Sequence, residues 1–159
     1  MQMDKGMDTG PMLTTATIPI TRETTSGSLF AEMTEVGADL LVRTLPGYLN
    51  GSITPVAQPA EGVTMAPKIL KEEGRLVWQE EAAFLERKVR AFDPAPGTYF
   101  EYAGARIKVL SARVAEADTP FGEEDCGVVV DADLGIRCSR GGFYPLVLQK
   151  AGGKPVPVA

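Results

Sequence analysis

The feature that most constrains this chain is a stretch rich in proline and glycine that separates two parts of different pattern. Residues 51–67 contain three prolines and two glycines and show little hydrophobic periodicity. Proline and glycine interrupt helices and strands, so such a stretch is typical of a linker. We therefore divide the 159 residues into a first part (1–50), a linker (51–66) and a second part (67–159).

The first part predicts a strand followed by a helix. Residues 12–18 are rich in β-branched side chains and precede a proline, which cannot donate a ladder hydrogen bond, so a strand is expected there. Apolar residues then recur at helical spacing over 29–48. Pro46 is expected to end or kink this helix and Gly51 to close it. The apolar face comprises Leu29, Phe30, Met33, Val36, Leu40 and Leu41.

The second part predicts one helix and a set of short strands. A short strand over 76–78 precedes a helix over 80–90. Apolar residues occupy both alternating series of 106–114, so we expect that strand to be buried on both faces. Strands and one helix in this order are typical of a small closed or partly closed barrel, and the fold class is α+β. The remaining strands are expected over 98–102, 127–131, 135–138 and 143–150. The small residues 103–105 predict a hairpin between 98–102 and 106–114, and 127–131 with 135–138 could form a second short hairpin.

Composition excludes several classes of site. The formal net charge is −5, so the whole chain is not an electrostatic nucleic-acid binder, although residues 67–159 hold 13 Lys+Arg against 14 Asp+Glu. Histidine is absent, which excludes the Ser/His/Asp and Cys/His catalytic sets, and no metal-ligand spacing is found. Without a secretory signature, Cys126 and Cys138 are expected to be free thiols. No apolar run has the length of a membrane span, and we expect a cytoplasmic protein.

One loop near the start of the sequence could carry chemistry. Asp8 lies between Gly6 and Gly10 in a Gly-Met-Asp-Thr-Gly run. A carboxylate in such a loop can orient a water or a base, or can stabilise a cation. The alternative is a turn aspartate that accepts hydrogen bonds from its own loop, and the residues alone favour this alternative. Asp4 has the same two interpretations, with the turn role favoured.

Basic residues form three groups in the second part, and each group could contact the phosphates of an RNA backbone. A solvated surface with compensating acidic neighbours is the commoner outcome for such groups. Cations at the end of the predicted helix also complement its dipole. The candidates are Lys68, Lys71 and Arg75, then Arg87, Lys88 and Arg90, and finally Lys150 and Lys154.

Aromatic residues of the second part could act as stacking platforms for bases. We favour the core for Trp78 and Phe92, because aromatic residues at the edges of strands and helices are more often buried. Tyr99, Phe100 and Tyr102 have the same two interpretations. The choice between core and surface stays open for Phe121, Phe143 and Tyr144.

Four runs of sequence together resemble the methionyl-tRNA formyltransferase family. Residues 1–13 (MQMDKGMDTGPML) are similar to a motif late in the formyltransferase domain of that family. Residues 66–78 (APKILKEEGRLVW) resemble the opening of its C-terminal domain, and residues 90–97 (RAFDPAPG) the turn after its helix. Residues 148–155 (LQKAGGKP) resemble its final strand and tail. Order and spacing also agree, so the resemblance covers essentially the whole chain.

The resemblance implies an activity and a division of labour along the chain. The family transfers a formyl group from 10-formyltetrahydrofolate to the methionyl amino group of initiator tRNA. Asp8 matches the family aspartate that positions a histidine and a water while the amine attacks the formyl carbon. Residues 1–50 would be a strand–helix remnant of a Rossmann-like formyltransferase domain. Residues 67–159 would be an OB-like β-barrel that helps to hold the tRNA.

The resemblance also implies a partner for the catalytic aspartate. In the family an asparagine and a histidine of the site precede the Asp8 motif, so this chain alone is expected to be inactive and to need a missing N-terminal half. The apolar face of residues 29–41 would pack on the sheet of that half, or would form a homodimer. The alternative to the enzyme is a free-standing RNA-binding or protein-interaction barrel without catalysis.

Overall fold

The chain forms two compact units in a computed structural model, which describes residues 1–115 and 125–158. The first unit comprises residues 1–22 and 28–68, and the second comprises residues 23–27 and 69–159. Within the described residues the elements are two α-helices, one short 3-10 helix and five strands, which confirms the α+β class. None of the helices in this part of the chain combines the length and the apolar character that crossing a membrane requires.

The helix predicted in the first part is present as α1 (Ser26–Leu49). Pro46 lies inside α1 and does not end it, because the backbone N–H of Asn50 still donates to the Pro46 carbonyl at 3.0 Å. Gly51 closes the helix as expected, with a φ of 79° and its N–H bonded to the Tyr48 carbonyl. The apolar face is divided: Leu29, Val36 and Leu40 are half-buried, whereas Phe30, Met33 and Leu41 are exposed.

The strand predicted over residues 12–18 is absent. Among the described residues, Met12 alone of this range pairs, through an isolated antiparallel bridge to Val56. Residues 14–17 are exposed and irregular. A β-branched side chain favours a strand because it packs well on a pleated, half-buried surface, and without a partner strand that advantage is lost. The prediction was wrong because it considered composition without a partner.

The second unit is built on one antiparallel sheet in the order β1–β2–β4–β3, with β5 also paired to β4. Ala103 and Gly104 both have positive φ, at 49° and 75°, as a two-residue hairpin turn requires, and the predicted first hairpin is confirmed. Of the second predicted hairpin only one bridge forms, between Val129 and Ile136, and residues 127–131 are not a strand. The strands are β1 (Thr98–Tyr102), β2 (Ala105–Ala115), β3 (Ile136–Arg137), β4 (Gly142–Lys150) and β5 (Val156–Pro157).

Strand β2 changes the series of side chains that it presents to the core halfway along its length. Ile107 and Val109 are buried, and Ala112 and Val114 pack against the core that contains Val109. The register against β4 is irregular between residues 109 and 112. An irregularity of this kind shifts the alternation, so odd-numbered residues face the core before it and even-numbered residues after it. The expectation of burial on both faces was therefore wrong. On the opposite face Arg106, Lys108 and Arg113 are exposed, and we call this side the open face of β2.

Helix α2 (Ala82–Ala91) supplies the centre of the core against the sheet, as the sequence predicts. Leu85 and Phe143 are fully buried. Burying a side chain such as Leu85 stabilises the fold by about 1.5–3 kcal/mol. The Trp78 ring packs 5.5 Å from the Phe143 ring and 5.6 Å from the Phe100 ring, so the core assignment of Trp78 is confirmed. Phe121, which the sequence left open, lies outside the described residues.

The segment before α2 is not a strand over 76–78. Arg75 forms one isolated bridge to Tyr99, and the Leu76 N–H donates to the Tyr99 carbonyl at 2.8 Å. A turn then begins at Trp78. Gly74 approaches the β1 segment so closely that an added Cβ would lie 2.3 Å from the Gly97 carbonyl oxygen. The pairing ends after one bridge because the chain turns at Trp78, whose ring packs against Phe100 and Phe143.

Candidate functional site

The Asp8 loop has a conformation that depends on a glycine. Asp8 has a φ of 54°, in the left-handed region that aspartate tolerates better than most residues. A Cβ added to Gly10 would lie 1.8 Å from the Gln2 carbonyl oxygen. The chain folds back at this point, and the Gln2 N–H donates to the Pro11 carbonyl at 2.9 Å. Within this loop, position 10 therefore accepts only glycine.

The side chain of Gln58 holds the Asp8 loop from the segment that the sequence marks as a linker. Gln58 Nε2 donates to the Asp8 carbonyl at 2.7 Å and to the Gly10 carbonyl at 2.8 Å. Met12 and Val56 exchange two backbone hydrogen bonds beside this contact, at 2.7 and 2.8 Å. Both N–H donors of one amide thus bond the two carbonyls that flank Thr9, and the loop is restrained at the residue that carries the carboxylate.

The two aspartates of the loop differ in what their carboxylates do. Asp4 Oδ1 accepts from the Lys5 N–H at 2.6 Å and Asp4 Oδ2 accepts from Thr9 Oγ1 at 3.4 Å, which confirms the turn role. The Asp8 side chain is exposed and has no hydrogen bond to a described residue. Asp8 lies in a turn at positive φ, but the side-chain hydrogen bonds that the turn interpretation expects are not found among the described residues. A carboxylate whose oxygens are open, on a loop with a restrained backbone, can orient a water or a base.

Three of the predicted basic residues have partners within the second unit. Arg90 donates to both Glu86 oxygens, at 2.7 and 3.2 Å, and to the Thr24 carbonyl at 2.9 Å, so it ties residues 23–27 to α2. Lys88 Nζ donates to the Arg75 carbonyl at 2.9 Å, and burial lowers the pKa of Lys88. Arg75 lies 3.9 Å from a Glu101 oxygen.

The other five predicted basic residues are exposed. Lys68 is assigned to the first unit and Lys71 to the second. Arg87 is exposed on α2. Lys150 and Lys154 flank a turn in which the Gly153 N–H donates to the Lys150 carbonyl and Gln149 Nε2 donates to the Gly153 carbonyl. None of these five has an ion pair with a residue in the described part of the chain.

Sequence reasoning missed a set of cations on the open face of β2. Arg106 stacks on the Tyr99 ring, with Cζ 3.8 Å from the ring centroid, and Arg113 stacks on the Tyr144 ring at 4.0 Å. Lys108 lies between them and is exposed. The signal that could have found them is strand alternation. That signal assigns Arg106 and Lys108 to one face but assigns Arg113 to the other.

The cysteines and the metal-binding side chains of the described residues do not form a second candidate catalytic or metal site. Neither Cys126 nor Cys138 forms a disulfide, as the sequence predicts. Cys138 is fully buried, and its burial raises its pKa to about 12, so the thiolate that reacts and binds metals is disfavoured. Within residues 1–115 and 125–158 no group of three or more metal-binding side chains is found.

Comparison with known families identifies the class of this protein. Residues 68–159 match the family described as "Formyl transferase, C-terminal domain". This range includes α2, all five strands and the cations on the open face of β2. The chain belongs to this formyl transferase family.

Curated relatives extend the similarity over the Asp8 loop and confirm the resemblance drawn from the sequence. The chain is 46% identical over 158 residues to the methionyl-tRNA formyltransferase of Paramagnetospirillum magneticum, covering 98% of this chain and 50% of that protein. It is 45% identical over 152 residues to the methionyl-tRNA formyltransferase of Rhizorhabdus wittichii, covering 96% of this chain and 47% of that protein. The chain thus spans about half the length of these relatives.

Solved structures share the fold at low sequence identity. HypX from Aquifex aeolicus superposes with a TM-score of 0.63 at 21% identity, over 98% of this chain and 29% of that one. HypX in complex with tetrahydrofolic acid superposes with a TM-score of 0.63 at 20% identity, over 98% of this chain and 28% of that one.

Proposed function

We propose that this chain is the C-terminal half of a methionyl-tRNA formyltransferase, and that the complete enzyme formylates the methionyl amino group of initiator tRNA. The observation that carries the proposal is the 46% identity over 158 residues, which includes the Asp8 loop as well as the C-terminal domain. A formyl transferase C-terminal domain family match supports the same reaction class. The comparisons do not favour a free-standing barrel without catalysis.

Asp8 is the catalytic residue that we assign to this chain. Its exposed carboxylate, on a loop restrained by Gln58, is suited to position a histidine and a water as the amine attacks the formyl carbon. The sequence contains no histidine, so the 159-residue chain alone should not transfer formyl groups.

10-Formyltetrahydrofolate would supply the activated formyl group as the donor substrate. The described residues beside Asp8 offer a carboxylate and a clamped backbone rather than an enclosure for a pterin ring, so we assign no folate-binding residue here. The solved HypX complex with tetrahydrofolic acid supports a folate donor for proteins of this fold.

The second unit would position the tRNA. We propose that residues 67–159 act as an OB-like barrel, that 51–66 link it to the catalytic part, and that 1–50 complete a Rossmann-like domain. Five antiparallel strands with one helix support the barrel assignment. The open cations among the earlier candidates are Lys68, Lys71, Arg87, Lys150 and Lys154, whereas Arg75, Lys88 and Arg90 have intramolecular partners.

The exposed apolar side chains of α1 would be covered in the working protein. Phe30, Met33 and Leu41 are 70%, 50% and 62% exposed. We propose that the N-terminal half of the enzyme covers them and that the chain alone forms a homodimer through them. A monomer by sedimentation equilibrium at high concentration would contradict the dimer. A role in translation initiation would put the protein in the cytoplasm.

A fusion protein tests the proposed activity. The N-terminal half of the Paramagnetospirillum magneticum relative is joined to this chain, and formylation of charged initiator tRNA by 10-formyltetrahydrofolate is followed. The fusion should turn over, and Asp8→Asn should lower kcat by about 10²–10⁴-fold, the range for a positioned acid–base group. Asp4→Asn is the matched control and should retain activity. A folded fusion without formyl transfer, or an Asp8→Asn variant as active as the parent, would overturn the proposal.

A further inference from the structure

We propose that the open face of β2 is a binding surface for an RNA phosphodiester backbone, formed by Arg106, Lys108 and Arg113. The inference rests on the proposed function for the choice of RNA as the ligand. It assigns this role to residues outside the three basic groups that the sequence suggests.

The register irregularity in β2 brings the three cations onto one face. Arg106 and Lys108 are two residues apart, so they share a face in any strand. Arg113 is an odd number of residues away from both, and in a regular strand it would therefore point toward the core with Ile107. Because the alternation changes between residues 109 and 112, Ala112 and Val114 face the core instead and Arg113 is exposed. The row then extends along the strand for roughly 20 Å.

The two guanidinium groups are held flat in a geometry that suits phosphate. The Tyr99 and Tyr144 rings support Arg106 and Arg113 at 3.8 and 4.0 Å from the ring centroids. Stacking uses the face of a guanidinium and leaves its N–H edge available, and that edge can donate two parallel bonds to a phosphate. Lys108 adds a point charge between them.

Neighbouring carboxylates do not neutralise the row by direct contact. Arg106, Lys108 and Arg113 have no hydrogen bond or ion pair with a described residue. Two acidic residues lie near the row, Glu101 opposite Arg106 in the β1–β2 register and Asp131, on which the charge of Arg113 acts, and each also has another partner. Glu101 pairs with Arg75, and Asp131 accepts from the Gly135 N–H at 2.9 Å and from the Tyr144 hydroxyl at 2.8 Å. Three exposed cations that form no salt bridge within residues 1–115 and 125–158, two of them pre-oriented, suit contact with a phosphate backbone.

The binding test uses the 159-residue chain and labelled initiator tRNA in anisotropy titrations at several salt concentrations. Replacing Arg106, Lys108 and Arg113 together by Gln should weaken binding at least tenfold at about 50 mM salt and should reduce the salt slope by roughly 2–3, or about one for each lost phosphate contact. The matched control replaces Lys5, Arg22 and Arg43 by Gln, which changes the net charge equally. It should weaken binding less than about threefold. An equal loss of tRNA affinity in both triple variants, or no measurable binding by the parent chain at low salt, would overturn the proposed binding surface.

A second variant tests the stacked geometry rather than the charge. Arg106→Lys with Arg113→Lys keeps the charge but removes the planar forks, and affinity should fall about three- to tenfold with the salt slope unchanged. Full affinity would overturn the stacked-arginine contact. Unfolding midpoints of all variants should stay close to that of the parent, since each changed side chain is exposed and each lost ring contact or ion pair contributes only about 0.5–1 kcal/mol.

The same triple variant in the fusion protein separates this surface from the proposed activity. It should raise the KM for tRNA and leave kcat near that of the parent fusion. A formylating fusion whose KM is unchanged by the triple substitution would overturn the surface and leave the activity intact. A fusion that never formylates, together with selective loss of tRNA binding in the triple variant, would overturn the activity and leave the surface intact.

Discussion

Removal of the Gln58 amide should loosen the Asp8 loop by an amount that the structure allows us to estimate. In Gln58→Met both hydrogen bonds to the carbonyls of Asp8 and Gly10 are lost while the side chain keeps a similar length. A net hydrogen bond contributes about 0.5–1.5 kcal/mol, and water can replace the lost donor at the exposed Asp8 carbonyl more readily than at that of the buried Gly10. The loop should therefore open with a free energy lower by about 1–2 kcal/mol.

Amide hydrogen exchange is the appropriate assay, because it reports local opening at single residues. The Met12 N–H bonds to the Val56 carbonyl beside Gln58, so its exchange should be about 5–30 times faster in Gln58→Met, at 1.4 kcal/mol for each factor of ten. Gln149→Met is the matched control, since that amide also donates one bond to a carbonyl, that of Gly153, in the other unit. Its effect on Met12 should be negligible.

Gln58→Glu adds a pH signature that a general loss of stability cannot reproduce. The ionised carboxylate would face two carbonyl oxygens and repel them, which raises its pKa in the folded loop. Protection at Met12 should therefore return partly as the pH falls through that raised pKa, because the neutral acid can donate one hydrogen bond. An unchanged exchange rate at Met12 in Gln58→Met, or no recovery of its protection in Gln58→Glu at low pH, would refute the restraint of the Asp8 loop by Gln58.

Two further predictions concern a glycine and a carboxylate. Gly10→Ala should lower the free energy of unfolding by more than about 1 kcal/mol, since the added Cβ would meet backbone atoms. Gly37→Ala, at an open position on α1, should raise it by up to about 1 kcal/mol. Urea unfolding measures both values, and equal effects would contradict the loop geometry. The Gly135 N–H, and then the Tyr144 hydroxyl, lower the pKa of Asp131. A lowered pKa in the folded state adds stability at pH values above the unfolded-state pKa, and this stability is lost as the pH falls through the folded-state pKa. In Asp131→Asn the urea midpoint should therefore depend less on pH below about pH 4 than in the parent. A pH dependence parallel to the parent's would contradict this.

Local pattern was sufficient for the elements that depend on few partners. Helices α1 and α2 follow from apolar spacing, and the first hairpin follows from a small turn between two β-rich runs. The strand expected over residues 12–18 did not form, because β-branched residues favour a strand only where another strand accepts their hydrogen bonds. Of the two roles expected for Pro46, ending the helix was wrong, since a helix can continue past a proline when the following N–H groups still find acceptors.

The candidate site was predictable in part. Asp8 could be singled out from its glycines and from the family motif, and the structure adds that its carboxylate has no partner in the described part of the chain whereas that of Asp4 does. Gln58 could not be found, because it is 50 residues from Asp8 and lies in a segment that composition marks as a linker. A hydrogen bond between distant segments leaves no periodic trace in a sequence.

The sequence by itself determined the family, the two helices and the first hairpin, and it singled out Asp8 as a candidate, because each of these depends on a contiguous run of residues. Only the tertiary structure decided which cations are free and which face they share. Arg90 became a structural residue because Glu86 and residues 23–27 surround it. Arg113 joined Arg106 and Lys108 because a register irregularity against β4 reversed the alternation of β2. Register belongs to the pairing of two strands, so one strand's sequence cannot specify it.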